Sequence, residues 1–102
     1  MALVGDLMDR SKIAAVIPGT DFVQSPTGCG GADLVVIDLG RFADQVGSVR
    51  EQAPTARIVA YGRHDSPEVL AQARVDGADA ALTRNRFFAD PAVAVAPAPA
   101  DK

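Results

Sequence analysis

The chain has 102 residues, with ten Lys and Arg against 13 Asp and Glu, which gives a formal net charge of −3. This length fits one domain around a single core. The acidic balance disfavours general nucleic-acid binding, because phosphates attract a basic surface. One cysteine, Cys29, and one histidine, His64, exclude an internal disulfide and any metal site that needs several Cys or His ligands.

The chain also lacks the apolar segments of membrane and secreted proteins. No apolar run approaches the roughly 20 residues of a membrane span. The first residues lack the basic and apolar regions of a signal peptide. We therefore expect a cytoplasmic protein that makes no membrane contact.

Short apolar runs alternate with helix-like stretches along the chain. Five runs are candidate strands, and the best of them are apolar throughout, which is typical of a sheet buried on both faces. They are Leu3-Val4, Asp21-Phe22-Val23, Leu34-Val35-Val36-Ile37, Arg57-Ile58-Val59-Ala60-Tyr61 and Ala80-Ala81-Leu82-Thr83. Strands that alternate with helices through short links predict βαβ units and a parallel sheet.

Three helices are predicted between these strands, over residues 7–16, 41–52 and 67–76. The third has the clearest signals, with Ser66 as its cap, Pro67 at its first position and Gly77 after its end. Asp6 is the expected N-cap of the first helix. The predicted inner face of that helix consists of Leu7, Ile13, Val16 and Ile17.

Two further helices are predicted to be short. The ten residues Gln24 to Asp33 contain Pro26 and three glycines, so a second helix there is missing or reduced to one turn. Residues 84–89 have room for one or two turns. From Asp90 onwards the sequence is rich in Ala and Pro, which predicts a disordered tail over residues 90–102 after a domain over residues 1–89.

Polar residues follow the predicted strands at their carboxyl ends, where ligands collect in open α/β sheets. These residues are Asp6, Asp38, Gly62-Arg63-His64-Asp65 and Thr83-Arg84. A carboxylate directly after an apolar strand is held rigidly at such a pocket. Asp6 and Asp38 are therefore candidate ligands for Mg²⁺, which prefers oxygen donors.

The segment Ala32–Leu39 resembles the third strand of a receiver domain of the response regulators in bacterial-type two-component signalling. Arg57–Gly62, followed by Gly77–Arg84, resembles the fourth and fifth strands of that family in order and spacing. The resemblance covers about residues 2–88. It implies a small, doubly wound, flavodoxin-like α/β domain with five parallel strands in the order 2-1-3-4-5, here with its second and fifth helices reduced.

The resemblance also assigns roles, and the sequence departs from several of them. It implies that Asp38 is the phosphoacceptor and that Asp6 remains from an acidic pair that binds magnesium, with Gly5 in place of the other acid. Gly62 stands where the family has a Thr or Ser whose hydroxyl bonds the phosphoryl group. Arg84 stands in place of a Lys, and this exchange is not conservative. These departures favour a degenerate receiver, a pseudo-receiver, in which an ion pair between Arg84 and Asp38 would lock the pocket.

We therefore predict a stand-alone, receiver-like signalling or protein-interaction module that is neither an enzyme nor phosphorylated. Two alternatives stay open: an active single-domain response regulator phosphorylated on Asp38, and a flavodoxin-like domain that binds a small ligand or a nucleotide. The predicted pocket consists of Asp6, Gly62, His64, Thr83 and Arg84, with Mg²⁺ as the candidate cofactor. We expect a protein partner or a second copy of the chain, because shortened helices leave apolar area exposed.

Overall fold

A four-stranded, all-parallel sheet forms the centre of the protein. The structure is a computed structural model and describes residues 1–63 and 65–95, so the pocket prediction for His64 lies outside the described residues. The strands are β1 (Ala2–Leu3), β2 (Leu34–Asp38), β3 (Arg57–Gly62) and β4 (Ala80–Thr83). They lie side by side in the order β1-β2-β3-β4. The α/β class and the parallel sheet agree with the sequence prediction.

The sheet has four strands, and the prediction of a fifth at Asp21-Phe22-Val23 is wrong. Only Phe22 bridges Ala2, in parallel orientation. The Ala2 amide donates to the Asp21 carbonyl at 2.8 Å, and the Val23 amide donates to the Ala2 carbonyl at 2.9 Å. The pairing stops there because β1 itself has two residues, and the chain turns at Gly5 into the first helix.

Helices cover both faces of the sheet. They are α1 (Leu7–Val16), α2 (Leu39–Phe42), α3 (Val46–Gln52), α4 (Pro67–Asp76), α5 (Arg84–Ala89) and α6 (Pro91–Val95). The predicted bounds of α1 and α4 are confirmed. A 3₁₀ turn over Ala43–Gln45 divides the predicted helix at 41–52, and another over Pro26–Cys29 stands where a reduced helix was expected. None of the helices in the described part is long and apolar enough to cross a membrane.

Alternate strand residues supply two apolar cores. On one face, Leu3, Ile37 and Ala60 pack with residues of α3 and α4. On the other face, Val59 and Tyr61 pack with residues of α1 and α5. This period of two is the pleat of a strand with both faces covered, and it places Tyr61 on the face that carries α1.

The inner face of α1 differs from the prediction at two positions. Leu7 is 74% exposed and Val16 is 41% exposed. Asp9, Ile13 and Ile17 face the sheet instead, at the spacing of one helical stripe. The helix is rotated so that a carboxylate, Asp9, occupies the first position of the buried stripe.

The start of the predicted disordered tail is helical. Pro91 begins α6, which suits a residue that lacks an N–H at the first helical position. Ala94 and Val95 pack against the core that contains Tyr61, and Nε of Arg57 donates to the Val95 carbonyl at 3.2 Å. The rest of the predicted tail, residues 96–102, lies outside the described residues.

The turn between α4 and β4 is held by Arg50 from α3. Its Nε and Nη2 donate to the Gly77 carbonyl at 3.0 and 2.8 Å, and Nη2 also donates to Asp79 at 2.9 Å. Gly77 has a φ of 125°, and a Cβ atom there would lie 3.0 Å from Cβ and Cγ of Arg50. Position 77 therefore requires glycine for its backbone and for the close approach of Arg50.

We expect Gly77→Ala to lower the free energy of unfolding by about 1–3 kcal/mol, the cost of a non-glycine residue in a sparsely populated backbone region. Urea denaturation measures this change. Gly30→Ala is the control, since Gly30 has a negative φ and a Cβ there would meet nothing within 4 Å. Equal stability of the two variants would contradict the requirement for glycine at position 77.

Candidate functional site

The carboxyl ends of the strands open into a cavity of about 440 Å³. Its charged lining consists of three carboxylates and three guanidinium groups: Asp6, Asp9, Asp38, Arg41, Arg63 and Arg84. Glycines at positions 5, 40 and 62 complete the lining. The position agrees with the rule that ligands bind beyond the carboxyl ends of parallel strands.

The structure brings together Asp6, Asp38, Gly62 and Arg84 from the predicted pocket. Thr83 has a different position, because its hydroxyl oxygen accepts the Arg86 amide at 3.3 Å and caps α5. Sequence reasoning missed the contribution of Asp9.

Asp6 and Asp38 each cap a helix. Oδ1 of Asp6 accepts the Met8 and Asp9 amides at 2.7 and 3.3 Å, which confirms the predicted N-cap of α1. Oδ1 of Asp38 accepts the Gly40 amide at 2.9 Å at the start of α2. One oxygen of each carboxylate is therefore engaged with backbone.

Asp38 lies in an environment that disfavours its charge. Burial raises the pKa of its carboxyl above the ordinary value, and the negative charges of Asp9 and Asp6 act in the same direction. The Gly40 hydrogen bond and the charge of Arg84 act in the opposite direction, but burial dominates. The surroundings of the carboxylate at the end of β2 thus disfavour its charged form.

Asp9 is the most deeply buried charged group of the site, with 1% of its surface exposed. Arg84 bonds it through both arms: Nη1 donates to Oδ2 at 2.5 Å and Nη2 donates to Oδ1 at 2.8 Å. The Tyr61 hydroxyl donates to Oδ2 at 3.0 Å. Charged donors at bidentate geometry are among the strongest hydrogen bonds in proteins, so the carboxylate is fully satisfied without solvent.

The predicted partner of Arg84 is wrong, since Arg84 pairs with Asp9 and not with Asp38. The rotation of α1 points Asp9 at the sheet, directly within reach of Tyr61 and Arg84. The sequence contains one signal for this arrangement, since Asp9 lies four residues before Ile13 and eight before Ile17. A charged residue on an otherwise apolar stripe requires a partner.

Aromatic rings enclose the Arg84 guanidinium. Its Cζ lies 5.5 Å from the ring centroid of Tyr61 and 5.2 Å from that of Phe88. The Tyr61 ring stacks on Phe87 with centroids 4.9 Å apart, and Phe87 is buried. These contacts restrict the guanidinium and support its orientation towards Asp9.

The pKa values of the three bonded groups follow from this geometry. The guanidinium of Arg84 lowers the pKa of Asp9 below its ordinary value, more strongly than burial raises it. The hydrogen bonds to Asp9 raise the pKa of Arg84. Burial raises the pKa of Tyr61, and the charges of Asp38 and Asp9 add to that effect. Asp9 is therefore ionised, Arg84 charged and Tyr61 neutral throughout the physiological range.

The magnesium ion that the receiver resemblance implies does not fit this donor set. Gly5 supplies no ligand, and a Cβ atom there would lie 2.7 Å from Cδ of Arg41, so the Arg41 side chain occupies that volume. Asp9 is bonded to Arg84, which leaves Asp6 and Asp38, each with one capping oxygen. Within the described ranges, no group of three His, Cys, Asp or Glu side chains has a metal-binding arrangement.

A hydroxyl side chain at position 62, which the receiver resemblance implies, would be tight against its neighbours. A Cβ atom at Gly62 would lie 3.3 Å from Cβ of Leu39 and from Cδ2 of Leu70. Contacts this short require the neighbours to move. The glycine therefore belongs to the packing of α2 and α4 on the sheet.

Comparisons with known proteins assign no family. No protein-family model matches the chain, and no curated protein matches it. Function is therefore inferred from the pocket itself.

Replacing Arg84 by Met leaves the Asp9 carboxylate buried without its cation. We expect a loss of about 2–3 kcal/mol in the free energy of unfolding at pH 7, below the ~3–5 kcal/mol of a fully buried pair, because water partly screens the exposed end of Arg84. Arg86→Met removes the same charge from an exposed position on the same helix, and we expect a change within about 0.5 kcal/mol. Coincident urea transitions of the two variants would contradict the stabilising role of the pair.

Asp38→Asn keeps an acceptor for the Gly40 amide and removes the charge. Because the pKa of Asp38 is raised in the folded state, its protonation favours folding at low pH, and this contribution is lost as the pH rises through that pKa. We therefore expect the variant to be more stable than the wild type at pH 7, with the difference shrinking as the pH falls to about 3. A pH series of urea transitions checks this, and a constant difference would contradict it.

Proposed function

We propose that this chain is a receiver-like, flavodoxin-like domain that acts by binding a protein partner in signalling and is not phosphorylated on Asp38. The strand order, with Phe22 bridged to the outer side of β1, supports the doubly wound arrangement. The position of Asp38 at the end of β2 supports the receiver resemblance. The observation that carries the proposal is the bidentate pair between Arg84 and Asp9.

A phosphorylated carboxylate needs a cation beside it to balance the added charge. Arg84 is the cation that acts on Asp38, but it is committed to Asp9. To move towards a phosphoryl group, it would leave the buried Asp9 carboxylate without its cation, which costs about 2–3 kcal/mol. Gly62 has no hydroxyl to hydrogen-bond a phosphoryl group on Asp38, and Gly5 has no carboxylate to bind magnesium. Asp38 therefore lacks the neighbouring hydroxyl and the second metal-binding acid of the family, and the arginine in place of the family's lysine is bonded to Asp9.

Exposed apolar side chains beside the cavity favour a protein partner. Leu7 and Met8 directly follow the cavity residue Asp6 and are 74% and 70% exposed. Large apolar side chains turned to solvent beside a functional cleft often mark a contact surface. A partner that covers these residues would also cover the mouth of the cavity.

The alternative, an active single-domain response regulator, has one observation in its favour. The Asp38 carboxylate lines the cavity and makes its hydrogen bond through a single oxygen, Oδ1. The other oxygen is therefore a conceivable nucleophile towards a phosphoryl donor. Incubation with a phosphoryl donor, described next, separates this function from the proposed one.

We expect no phosphoryl adduct when the protein is incubated with acetyl phosphate and Mg²⁺ and its intact mass is measured. A competent receiver domain treated in parallel verifies the donor. The Asp38→Asn variant identifies the site of any adduct that forms. A phosphoryl mass gain in the wild type that is absent from Asp38→Asn would contradict the proposal and establish the active receiver.

A further inference from the structure

A second, smaller cavity of about 170 Å³ adjoins the first and differs from it in charge. It is lined by Gly5, Arg10, Gln24, Arg41 and Phe42. Two of these residues are arginines, and none of the described residues that line it is acidic. Gly5 and Arg41 belong to both cavities.

Two contacts hold the Arg10 side chain in place. Its Nε donates to the Val4 carbonyl at 2.7 Å, and its Cζ lies 5.4 Å from the centroid of the Phe22 ring. Its two terminal nitrogens make no hydrogen bond to any described residue. A half-buried guanidinium is thus oriented with its terminal donors open.

Arg41 reaches the same cavity across Gly5. A Cβ atom at Gly5 would lie 2.7 Å from Cδ and 3.2 Å from Nε of Arg41, so the side chain runs directly over the glycine. Its Cζ lies 5.9 Å from the Phe42 ring centroid. Within the described part of the chain, Arg41 has neither a hydrogen bond nor an ion pair.

Three other arginines of the described chain, Arg50, Arg63 and Arg84, bond carboxylates, and Arg57 and Arg74 bond backbone carbonyls. Arg10 and Arg41 have no carboxylate partner among the described residues, although the protein has a net charge of −3, and both line a cavity without an acidic described residue. Guanidinium donors in this arrangement match the oxygens of a tetrahedral or planar oxyanion.

We propose that this second cavity binds a phosphate group, either as inorganic phosphate or on a small phosphate ester, through Arg10 and Arg41. The site stands independently of the proposed function. It also accounts for Gly5, since any side chain at that position would displace Arg41. Gly5 supplies no metal ligand to the first cavity, and the absence of a side chain there leaves space for Arg41 at the second cavity.

The test is a titration of the isotope-labelled protein with inorganic phosphate, followed by amide and arginine Nε resonances at constant ionic strength. We expect saturable shifts at Gly5, Gln24 and Arg41 in the wild type. Arg41→Ala should weaken the affinity at least about tenfold, because charged hydrogen bonds are lost. Arg86→Ala is the matched control and should bind as the wild type does, since Arg86 is exposed and remote from the cavity lining.

Gly5→Ala tests the geometry separately from the charge. The variant keeps both arginines but moves Arg41 from its place, so we expect weaker phosphate binding with the same net charge. Far-ultraviolet circular dichroism verifies that each variant is folded. Undiminished binding in Gly5→Ala or in Arg41→Ala would overturn the site, as would an equal loss in Arg86→Ala or the absence of saturation in the wild type.

Two further titrations distinguish the source of the phosphate group. Glycerol phosphate that binds more tightly than inorganic phosphate would identify an ester as the ligand, whereas equal affinities would identify the phosphate group alone. Acetate at the same ionic strength should bind more weakly than either, because it offers fewer oxygens and less charge. Acetate binding as tight as phosphate binding would overturn the assignment to phosphate.

Discussion

The Asp9 carboxylate is the constraint around which the site is arranged. A buried charge is tolerated in a protein only when its partners satisfy it fully, and Asp9 is satisfied by both arms of Arg84 and by the Tyr61 hydroxyl. Asp9 is in α1, Arg84 begins α5 directly after β4, and Tyr61 is in β3. The hydrogen bonds to one carboxylate therefore connect the first helix, the start of α5 and a central strand of the sheet. The rotation that brings Asp9 inwards also turns Leu7 and Met8 outwards.

Commitment of Arg84 to Asp9 explains the character of the main cavity. Asp9 and Arg84 are bonded to each other, and Asp38 is left with a backbone amide and the charge of Arg84. Glycines line the cavity, and two of them lie close to their neighbours: Gly5 to Arg41, and Gly62 to Leu39 and Leu70. Residues at which the chain differs from the receiver pattern therefore take part in the packing of this protein.

Local signals in the sequence predicted the elements that depend on local physics. The cap at Asp6, the proline at position 67 and the glycine at position 77 fixed the bounds of two helices, and apolar β-branched runs located three strands. The failures are nonlocal. Phe22 is in a segment with strand-like composition but has too short a partner in β1, and Asp9 is buried only because Arg84, 75 positions away, can reach it. Residue types alone do not predict how long a partner strand such as β1 will be. They also do not predict which of two carboxylates, Asp9 or Asp38, one arginine will bond.

Tyr61 makes the Asp9–Arg84 pair accessible to near-ultraviolet spectroscopy. It is the one tyrosine of a chain without tryptophan. Its ring contacts both Phe87 and the Arg84 guanidinium, and its hydroxyl bonds Asp9. The near-ultraviolet dichroism of the protein, which depends on fixed packing around aromatic rings, therefore originates mainly from the site and not from the fold at large. An event that separates Arg84 from Asp9 changes the surroundings of that ring, so the native chain carries a spectroscopic probe beside this ion pair.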